Sequence, residues 1–209
     1  MKIIFIIGMH RCGTSLISNC LLENGFTIGN TKNTDKDWQN PNGYFENDSF
    51  GDYHNKLLEY NSSTWFNITK DEMSYTTEHV KEYRALIKKE FSNVDKGLIK
   101  DPRLSFFINF LKEVCKDKHE SYFIFCTRDK EECCESLSKA QNINQQVAEN
   151  LYKKTHNNVS DDLLKVNHKD LLFFNTDTIS NIAEFCDFTI KKDVSYIVDL
   201  GLYRNRKNV

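Results

Sequence analysis

The chain has 209 residues, of which 39% are hydrophobic and 28% are charged, a composition typical of a globular protein with a hydrophobic core. Its formal net charge of −2 gives no overall attraction to nucleic acid or to an anionic membrane, so an anion site has to be local. No stretch approaches the roughly 18 consecutive apolar residues of a membrane-spanning helix. The length fits one domain over residues 1–209, and we expect neither a nucleic-acid partner nor a transmembrane segment.

The N-terminal residues and the cysteines indicate a cytoplasmic protein. The apolar run Ile3–Ile7 is shorter than the roughly 7–15 apolar residues of a secretion signal, so we interpret it as a buried strand. The seven cysteines form an odd set without a C-x-x-C pair. With no secretion signal they are expected to be reduced, buried thiols, and a zinc site is not expected.

Strand-like and helix-like patterns alternate along the chain. Short apolar runs predict the buried strands of a parallel sheet, and the amphipathic patterns between them predict helices. The predicted strands are Ile3–Ile7, Gly97–Ile99, Tyr122–Cys126 and Leu163–Val166. The predicted helices are Thr14–Glu23, Phe50–Tyr60, Thr77–Phe91, Leu104–Cys115, Glu131–Ala140, Gln145–Lys154 and Thr178–Phe185. This alternation predicts an α/β domain of three layers, in which helices flank a central parallel sheet.

The first predicted strand leads directly into a loop that is suited to bind phosphate. Gly8 and Gly13 have the G-x-x-x-x-G spacing of a P-loop, and Thr14 and Ser15 open the helix that follows. Backbone N–H groups of such a loop and the positive end of the helix dipole attract a phosphate. A nucleoside triphosphatase carries Lys where this chain has Thr14, and the nearest cation is Arg11. The loop therefore predicts phosphate binding, but it lacks the lysine that binds β- and γ-phosphates in nucleoside triphosphatases.

The polar stretch Asn30–Asp48 predicts a long loop, and long loops at the C-terminal edge of such a sheet usually carry substrate contacts. Aromatic residues crowd this loop and the segment after it. They are Trp38, Tyr44, Phe45, Trp65 and Phe66. Their pattern fits either the wall of a substrate pocket or the core of a lid over residues 30–70, and it leaves both interpretations open.

A second phosphate-binding pattern follows the third predicted strand. Tyr122–Cys126 is followed by Thr127 and Arg128, and Ser136 lies about two turns into the next helix. An arginine at a strand end and a hydroxyl on the next helix can hold one phosphate together. Taken alone this pattern is weak, because an arginine in such a position is most often part of a surface ion pair.

The two phosphate motifs together resemble those of the sulfotransferase superfamily, in particular its bacterial-type group. Further segments are similar to that group: NPNGYFEN (Asn40–Asn47), KDPRL (Lys100–Leu104) and VNHKDL (Val166–Leu171). The resemblance covers residue 3 to about residue 188 and implies a P-loop-like sulfotransferase fold. The chain departs from the family pattern at Arg11, where many members have Lys, at Cys12, where many have Ser, and at His168, where Tyr is usual. The glycine-rich basic loop near the C-terminus of the cytosolic animal members is absent.

The resemblance implies an enzyme that transfers a sulfuryl group from 3′-phosphoadenosine 5′-phosphosulfate to an acceptor hydroxyl on a carbohydrate, a lipid or a small alcohol, without a metal ion. It implies that the first loop holds the 5′-phosphosulfate, that Arg128 and Ser136 hold the 3′-phosphate, and that His168 lies near the adenine. Arg204 in the basic C-terminal tail is a further candidate for the 3′-phosphate. The implied loop contacts are His10, Arg11, Cys12, Gly13, Thr14 and Ser15.

Three residues are the candidates for catalysis. The resemblance assigns Arg11 to the bridging oxygen of the donor and Lys100, at a predicted strand end, to the sulfuryl group. An acceptor hydroxyl needs a general base, and Glu46 in the GYFEN segment is the first choice. Asp101 and His54 are the alternatives, although His54 is expected on the surface of a helix.

Two other classes of function remain open at this point. A divergent P-loop kinase for nucleotides or small molecules would need a lysine after Gly13 or an equivalent, and Thr14 argues against it. A non-catalytic nucleotide-binding module would have lost site residues, whereas Arg11, Lys100 and Arg128 are all present. The pattern leaves the acceptor and the oligomeric state open.

Overall fold

The computed structural model describes residues 1–33, 40, 42–70, 73–172, 176–192, 194 and 197. Its strands are β1 (Lys2–Ile7), β2 (Lys32–Asn33), β3 (Glu46–Asn47), β4 (Lys96–Lys100), β5 (Glu120–Thr127) and β6 (Leu164–Asn167). Its helices are α1 (Thr14–Glu23), α2 (Asp48–Tyr60), α3 (Thr77–Glu90), α4 (Ile108–Cys115), α5 (Lys130–Gln141), α6 (Gln145–Asn157), α7 (His168–Leu172) and α8 (Thr176–Phe185). None of the helices in these ranges has both the length and the apolar character that crossing a bilayer requires.

The central sheet has four parallel strands in the order β4-β1-β5-β6. Ile6 of β1 is level with Lys100 of β4, and Ile7 is level with Phe125 of β5. Thr127 at the end of β5 is level with Asn167 at the end of β6. All four strands thus end at the same edge of the sheet, and helices flank it, which confirms the predicted fold class.

The core is built around β1, in which Ile3, Ile4, Phe5, Ile6 and Ile7 are all completely buried. A strand whose two faces are both covered by helices needs such an uninterrupted apolar run. Full burial of each of these large side chains contributes about 1.5–3 kcal/mol relative to exposure. The centre of the sheet is therefore a rigid support for the loops that follow its strands.

The structure corrects the sequence-based boundaries at two places. The helix predicted over Leu104–Cys115 is divided into a 3₁₀ turn, Pro102–Phe106, and the helix α4. The side chain of Asp101 caps this turn by accepting a hydrogen bond from the backbone N–H of Arg103 at 2.8 Å. The predicted loop Asn30–Asp48 contains a short antiparallel ribbon, in which β2 pairs with β3.

The seven cysteines are free and buried, as their pattern predicted. Two of them join the first loop to α5, because the Sγ atoms of Cys12 and Cys133 lie 3.3 Å apart. Cys133 also donates through its Sγ to the backbone carbonyl of His10 at 3.3 Å. These contacts hold the loop after β1 against the helix after β5.

Candidate active site

The predicted site residues follow the C-terminal ends of all four strands of the sheet. The loop Gly8–Gly13 follows β1, Lys100 ends β4, Arg128 follows β5 and His168 follows β6. The chain leaves β1 toward β4 and leaves β5 toward β6, so the winding changes direction between β1 and β5. Ligands of open α/β sheets bind at this switch point, outside the carboxyl ends of the strands.

At both glycines of the first loop a side chain would collide with a neighbouring atom. A Cβ on Gly8 would lie 2.8 Å from the carbonyl oxygen of Cys126, and one on Gly13 would lie 2.7 Å from Cδ2 of His168. Gly13 also has a φ of 90°, which favours glycine. Arg11 has a φ of 72°, a left-handed conformation that costs a non-glycine residue about 1–2 kcal/mol. Such a strained residue in a tight loop points to a functional geometry.

The start of α1 is suited to an anion. Gly13 is its N-cap, and within the described residues no side chain caps the helix and no acidic residue lies in its first turn. The backbone N–H groups of Thr14 and Ser15, in the first turn, therefore have neither an acceptor within the helix nor an acidic side chain beside them in that turn. A phosphate seated there would receive these N–H groups and the helix dipole.

The structure brings Arg11, Arg128 and Ser136 together. Nε of Arg11 donates to Oγ of Ser136 at 3.2 Å, and Nη1 of Arg128 donates to the backbone carbonyl of Arg11 at 3.0 Å. The side chain of Arg128 is only 8% exposed and also forms an ion pair with Glu132 at 3.3 Å. Tyr152 donates its hydroxyl to the carbonyl of Arg128 at 2.9 Å, which fixes the backbone of this arginine. Arg11 thus lies beside the predicted 3′-phosphate pair, and its contact with the 5′-phosphosulfate stays a prediction.

The two histidines of the site are neutral near pH 7. Burial and, to a smaller extent, the positive charge of Arg128 together lower the pKa of His168 to about 4. Burial likewise lowers the pKa of His10 to about 4, with Asp101 opposing and Lys100 adding to the decrease. The ring of His168 packs on Gly13, so this histidine shapes the start of α1.

Glu46 and Lys100, the predicted base and its catalytic partner, form an ion pair at 2.6 Å. The side chain of Lys100 is 3% exposed and that of Glu46 is 25% exposed, so the carboxylate is the member that faces solvent. Nζ of Lys100 also donates to the backbone carbonyl of Tyr44 at 3.1 Å, and Oγ of Ser15 lies 3.5 Å from the same oxygen. This carbonyl links the segment that carries Glu46 to the start of α1.

Asp101 and His54, the alternative bases, belong to a buried network. Nδ1 of His54 lies 2.9 Å from Asp101, and Nε2 lies 2.8 Å from the hydroxyl of Tyr83. Arg103 holds Asp101 through Nε and Nη2 at 2.7 and 2.6 Å. Burial alone would raise the pKa of Asp101, but the charges and hydrogen bonds of His54 and Arg103 hold it well below its usual range. His54 is completely buried, so its expected position on a helix surface is wrong.

An aromatic row begins at the first loop. The ring of His10 lies 5.1 Å from that of Trp65, and Trp65 meets Phe66 edge to face at 5.2 Å. Phe66 is 48% exposed, so the row leads from the loop toward solvent. Trp38 and Arg204, which the sequence also proposed, lie outside the described residues. Among the residues that are described, no group of three or more His, Cys, Asp or Glu is arranged to hold a metal ion.

No family model matches the chain, and no curated protein matches it in sequence. Solved structures do match its fold. The sulfotransferase domain of the Synechococcus PCC 7002 olefin synthase is 16% identical, with a TM-score of 0.58, and covers 99% of this chain and 88% of that one. A sulfotransferase domain from the curacin biosynthetic pathway is 15% identical, with a TM-score of 0.54, and covers 91% and 75%. Sulfotransferase STF9 from Mycobacterium avium is 14% identical, with a TM-score of 0.61, and covers 100% and 69%. The chain therefore has the sulfotransferase fold.

Proposed function

We propose that the protein is a sulfotransferase that moves a sulfuryl group from 3′-phosphoadenosine 5′-phosphosulfate to an acceptor hydroxyl. The observation that carries the proposal is the placement of two groups of residues at one edge of a sulfotransferase-fold sheet. One group, Arg11, Arg128 and Ser136, is suited to a phosphate. The other, Glu46 with Lys100, joins a carboxylate to an ammonium group beside the start of α1.

The donor fits the first group and the start of α1. The uncapped N-terminus of α1, with Thr14 and Ser15, would hold the 5′-phosphate through backbone N–H groups. Arg128 and Ser136 would hold the 3′-phosphate, because an arginine fork and a hydroxyl supply charge-assisted donors to its oxygens. In this proposal Arg11 joins them, since its guanidinium already lies on Ser136.

When bound, the donor supplies a sulfuryl group on a 5′-phosphate leaving group. Glu46 would accept the proton of the acceptor hydroxyl, because its carboxylate is the part of the ion pair that faces solvent. Lys100 would donate its N–H groups to oxygens that gain negative charge during transfer, in a position where little water weakens the interaction. His10 and His168 are neutral near pH 7 and would contribute shape and hydrogen bonds without charge.

The acceptor would approach along the aromatic row of His10, Trp65 and Phe66. This row starts in the proposed donor loop and ends in solvent, so it would offer an acceptor hydroxyl a path to the sulfuryl group. Aromatic walls favour a sugar ring or an apolar chain by contact with its C–H groups. A carbohydrate, a lipid or a small alcohol thus remains the proposed acceptor class.

Calorimetric titration with 3′-phosphoadenosine 5′-phosphate and with ATP, each with and without Mg²⁺, tests the proposal. We expect metal-free binding of the 3′-phosphorylated nucleotide and weak binding of ATP, and turnover of the donor should survive EDTA. A preference for ATP with Mg²⁺ would point to a kinase. Binding of the 3′-phosphorylated nucleotide without turnover of any acceptor or of the donor itself would point to a non-catalytic module.

A further inference from the structure

Glu90, the last residue of α3, is a carboxylate buried beneath the ribbon that carries Glu46. It is 1% exposed. Its Oε2 accepts hydrogen bonds from the backbone N–H groups of Asn30 at 3.0 Å and Thr31 at 2.8 Å, and from Nδ2 of Asn47 at 2.9 Å. Its Oε1 accepts from the hydroxyl of Thr31 at 2.9 Å. These four contacts are all to uncharged donors.

This position is unfavourable for a negative charge. The C-terminus of a helix carries a partial negative charge, and burial removes a carboxylate from water. Burial alone would raise the pKa of Glu90, but the hydrogen bonds from Asn47 and Thr31 lower it to about 2. Glu90 is therefore ionised at neutral pH, and its donors have to stay in place to keep it so. Glutamate is almost never fully buried unless it is paired, so a buried carboxylate held by uncharged donors points to a specific role.

The donors on Glu90 come from both strands of the ribbon. Asn30 and Thr31 lead into β2, and Asn47 lies in β3 next to Glu46. Two strands of two residues each cannot hold a ribbon together by their own hydrogen bonds. Gly29 lets the chain approach this closely, since a Cβ there would lie 2.8 Å from Nδ2 of Asn47.

We propose that Glu90 is a positioning residue for Glu46, holding β3 so that the Glu46 carboxylate meets Lys100. The link runs from Glu90 through Asn47 to the neighbouring Glu46, whose carboxylate lies 2.6 Å from Nζ of Lys100. This inference rests on the proposed function of Glu46 as the base. The donor-binding residues Arg128 and Ser136 lie on other elements, so Glu90 acts on transfer and leaves donor affinity unchanged.

The test compares E90A, E90Q and E78A. Gln at position 90 keeps one side-chain oxygen that can accept from the three N–H donors. Its amide N–H can donate to the hydroxyl oxygen of Thr31, because a hydroxyl can accept a hydrogen bond as well as donate one. Glu78 lies on the same helix but is exposed, and it forms a surface ion pair with Lys81 at 3.2 Å. It is therefore the matched control for loss of a carboxylate.

The measurements are the affinity for 3′-phosphoadenosine 5′-phosphate and kcat for consumption of the donor with 2-naphthol, octyl glucoside or water as acceptor. We expect E90A to lower kcat at least about 30-fold, since a misplacement of about 1 Å can cost roughly 100-fold. Nucleotide affinity should stay within about threefold, and E90Q should recover kcat to within about fivefold of the wild type. E78A should match the wild type in both.

An E90A variant with normal kcat, or one that loses nucleotide affinity in parallel with kcat, overturns the positioning role. Equal losses in E90A and E90Q also overturn it. Should E90A not fold, E90D, whose carboxylate is one methylene shorter, must show the same loss of kcat at unchanged affinity. Failure of the proposed function is distinct, because the wild-type chain would then neither bind the 3′-phosphorylated nucleotide nor consume the donor.

Discussion

Arg128→Ala tests the assignment of the 3′-phosphate site. In the structure the Arg128 guanidinium donates to the carbonyl of Arg11 and pairs with Glu132, with a side chain that is 8% exposed. Truncation leaves Glu132 with Lys169, whose Nζ lies 3.5 Å away. The folded state should lose the hydrogen bond to the Arg11 carbonyl and the ion pair with Glu132. The carbonyl left without this donor should cost about 1–3 kcal/mol in the free energy of unfolding.

The expected loss of binding follows from the kind of contact that is removed. A hydrogen bond to a charged group contributes about 1.5–3 kcal/mol, which corresponds to roughly a 10- to 150-fold increase in Kd for 3′-phosphoadenosine 5′-phosphate. Adenosine 5′-phosphate lacks the 3′-phosphate, so its Kd should change by no more than about threefold. The substitution should thus reduce the preference of the protein for 3′-phosphoadenosine 5′-phosphate over adenosine 5′-phosphate.

Calorimetric titration of both nucleotides into the wild type and the variant measures this preference. Lys139→Ala is the matched control, because Lys139 is a cation on the same helix, α5, that is 72% exposed and pairs with Glu135. It should leave both Kd values unchanged. Equal losses for the two nucleotides in Arg128→Ala would refute the 3′-phosphate assignment.

Three further predictions address the base, the loop and the histidines. Glu46→Gln should lower kcat by about 100-fold or more with unchanged nucleotide affinity, as measured by steady-state assays of donor consumption. Near-normal turnover would show that another residue is the base. Gly13→Ala should weaken nucleotide binding and lower the unfolding midpoint more than Gly25→Ala, because both glycines have a φ of 90° but only Gly13 lies against His168. The pKa values of His10 and His168 are about 4 in the folded chain and near 6.5 in the unfolded chain. Between about pH 4 and pH 6.5 the unfolded chain therefore binds more protons than the folded chain. Urea titrations should therefore show stability falling as the pH is lowered from about 6.5 to 4, by up to about 1.4 kcal/mol per pH unit for each histidine, and a flat profile would contradict their burial as neutral groups.

The sheet and its site edge were predictable from sequence because their signals are local. The predicted strands are short apolar runs. The spacing of Gly8 and Gly13 indicates a loop whose backbone conformation few residues other than glycine adopt. The ends of parallel strands then meet at one edge by topology alone. Lys100, Arg128 and His168 lie at or directly after the ends of three of these strands, so their positions at that edge follow from the predicted strands.

The burial of His54 was missed although its signal was present. Phe50, His54, Leu57 and Leu58 have the spacing of one helix face, and all four are buried. Glu90 shows the same pattern, since it continues the buried face of Val80, Tyr83 and Ile87 on α3. A titratable residue on an apolar helix face is thus a sequence signal for a buried polar network.

Other features depend on contacts that a sequence does not contain. The ribbon of β2 and β3 has two residues in each strand, too few for a periodic pattern. Nε of Arg11 donates to Ser136, which lies 125 positions later in the chain, and no local pattern in the sequence indicates this contact. The spacing of Gly8 and Gly13 predicts that Arg11 lies in the loop, but it does not predict which phosphate the long side chain of Arg11 reaches.

The two parts of the site are carried by different elements, which makes donor affinity and turnover separable. Arg128 and Ser136 belong to the loop and helix after β5, whereas Glu46 and Lys100 belong to the ribbon and to β4. Segment 8–15, which comprises the loop after β1 and the start of α1, contacts both parts. Arg11 of the loop reaches Ser136, and Ser15 of α1 reaches the carbonyl that Lys100 also binds. Substitutions in either part should therefore change one quantity alone, whereas substitutions in segment 8–15 should change both. A single set of variants that altered affinity and kcat in proportion at every position would contradict this division.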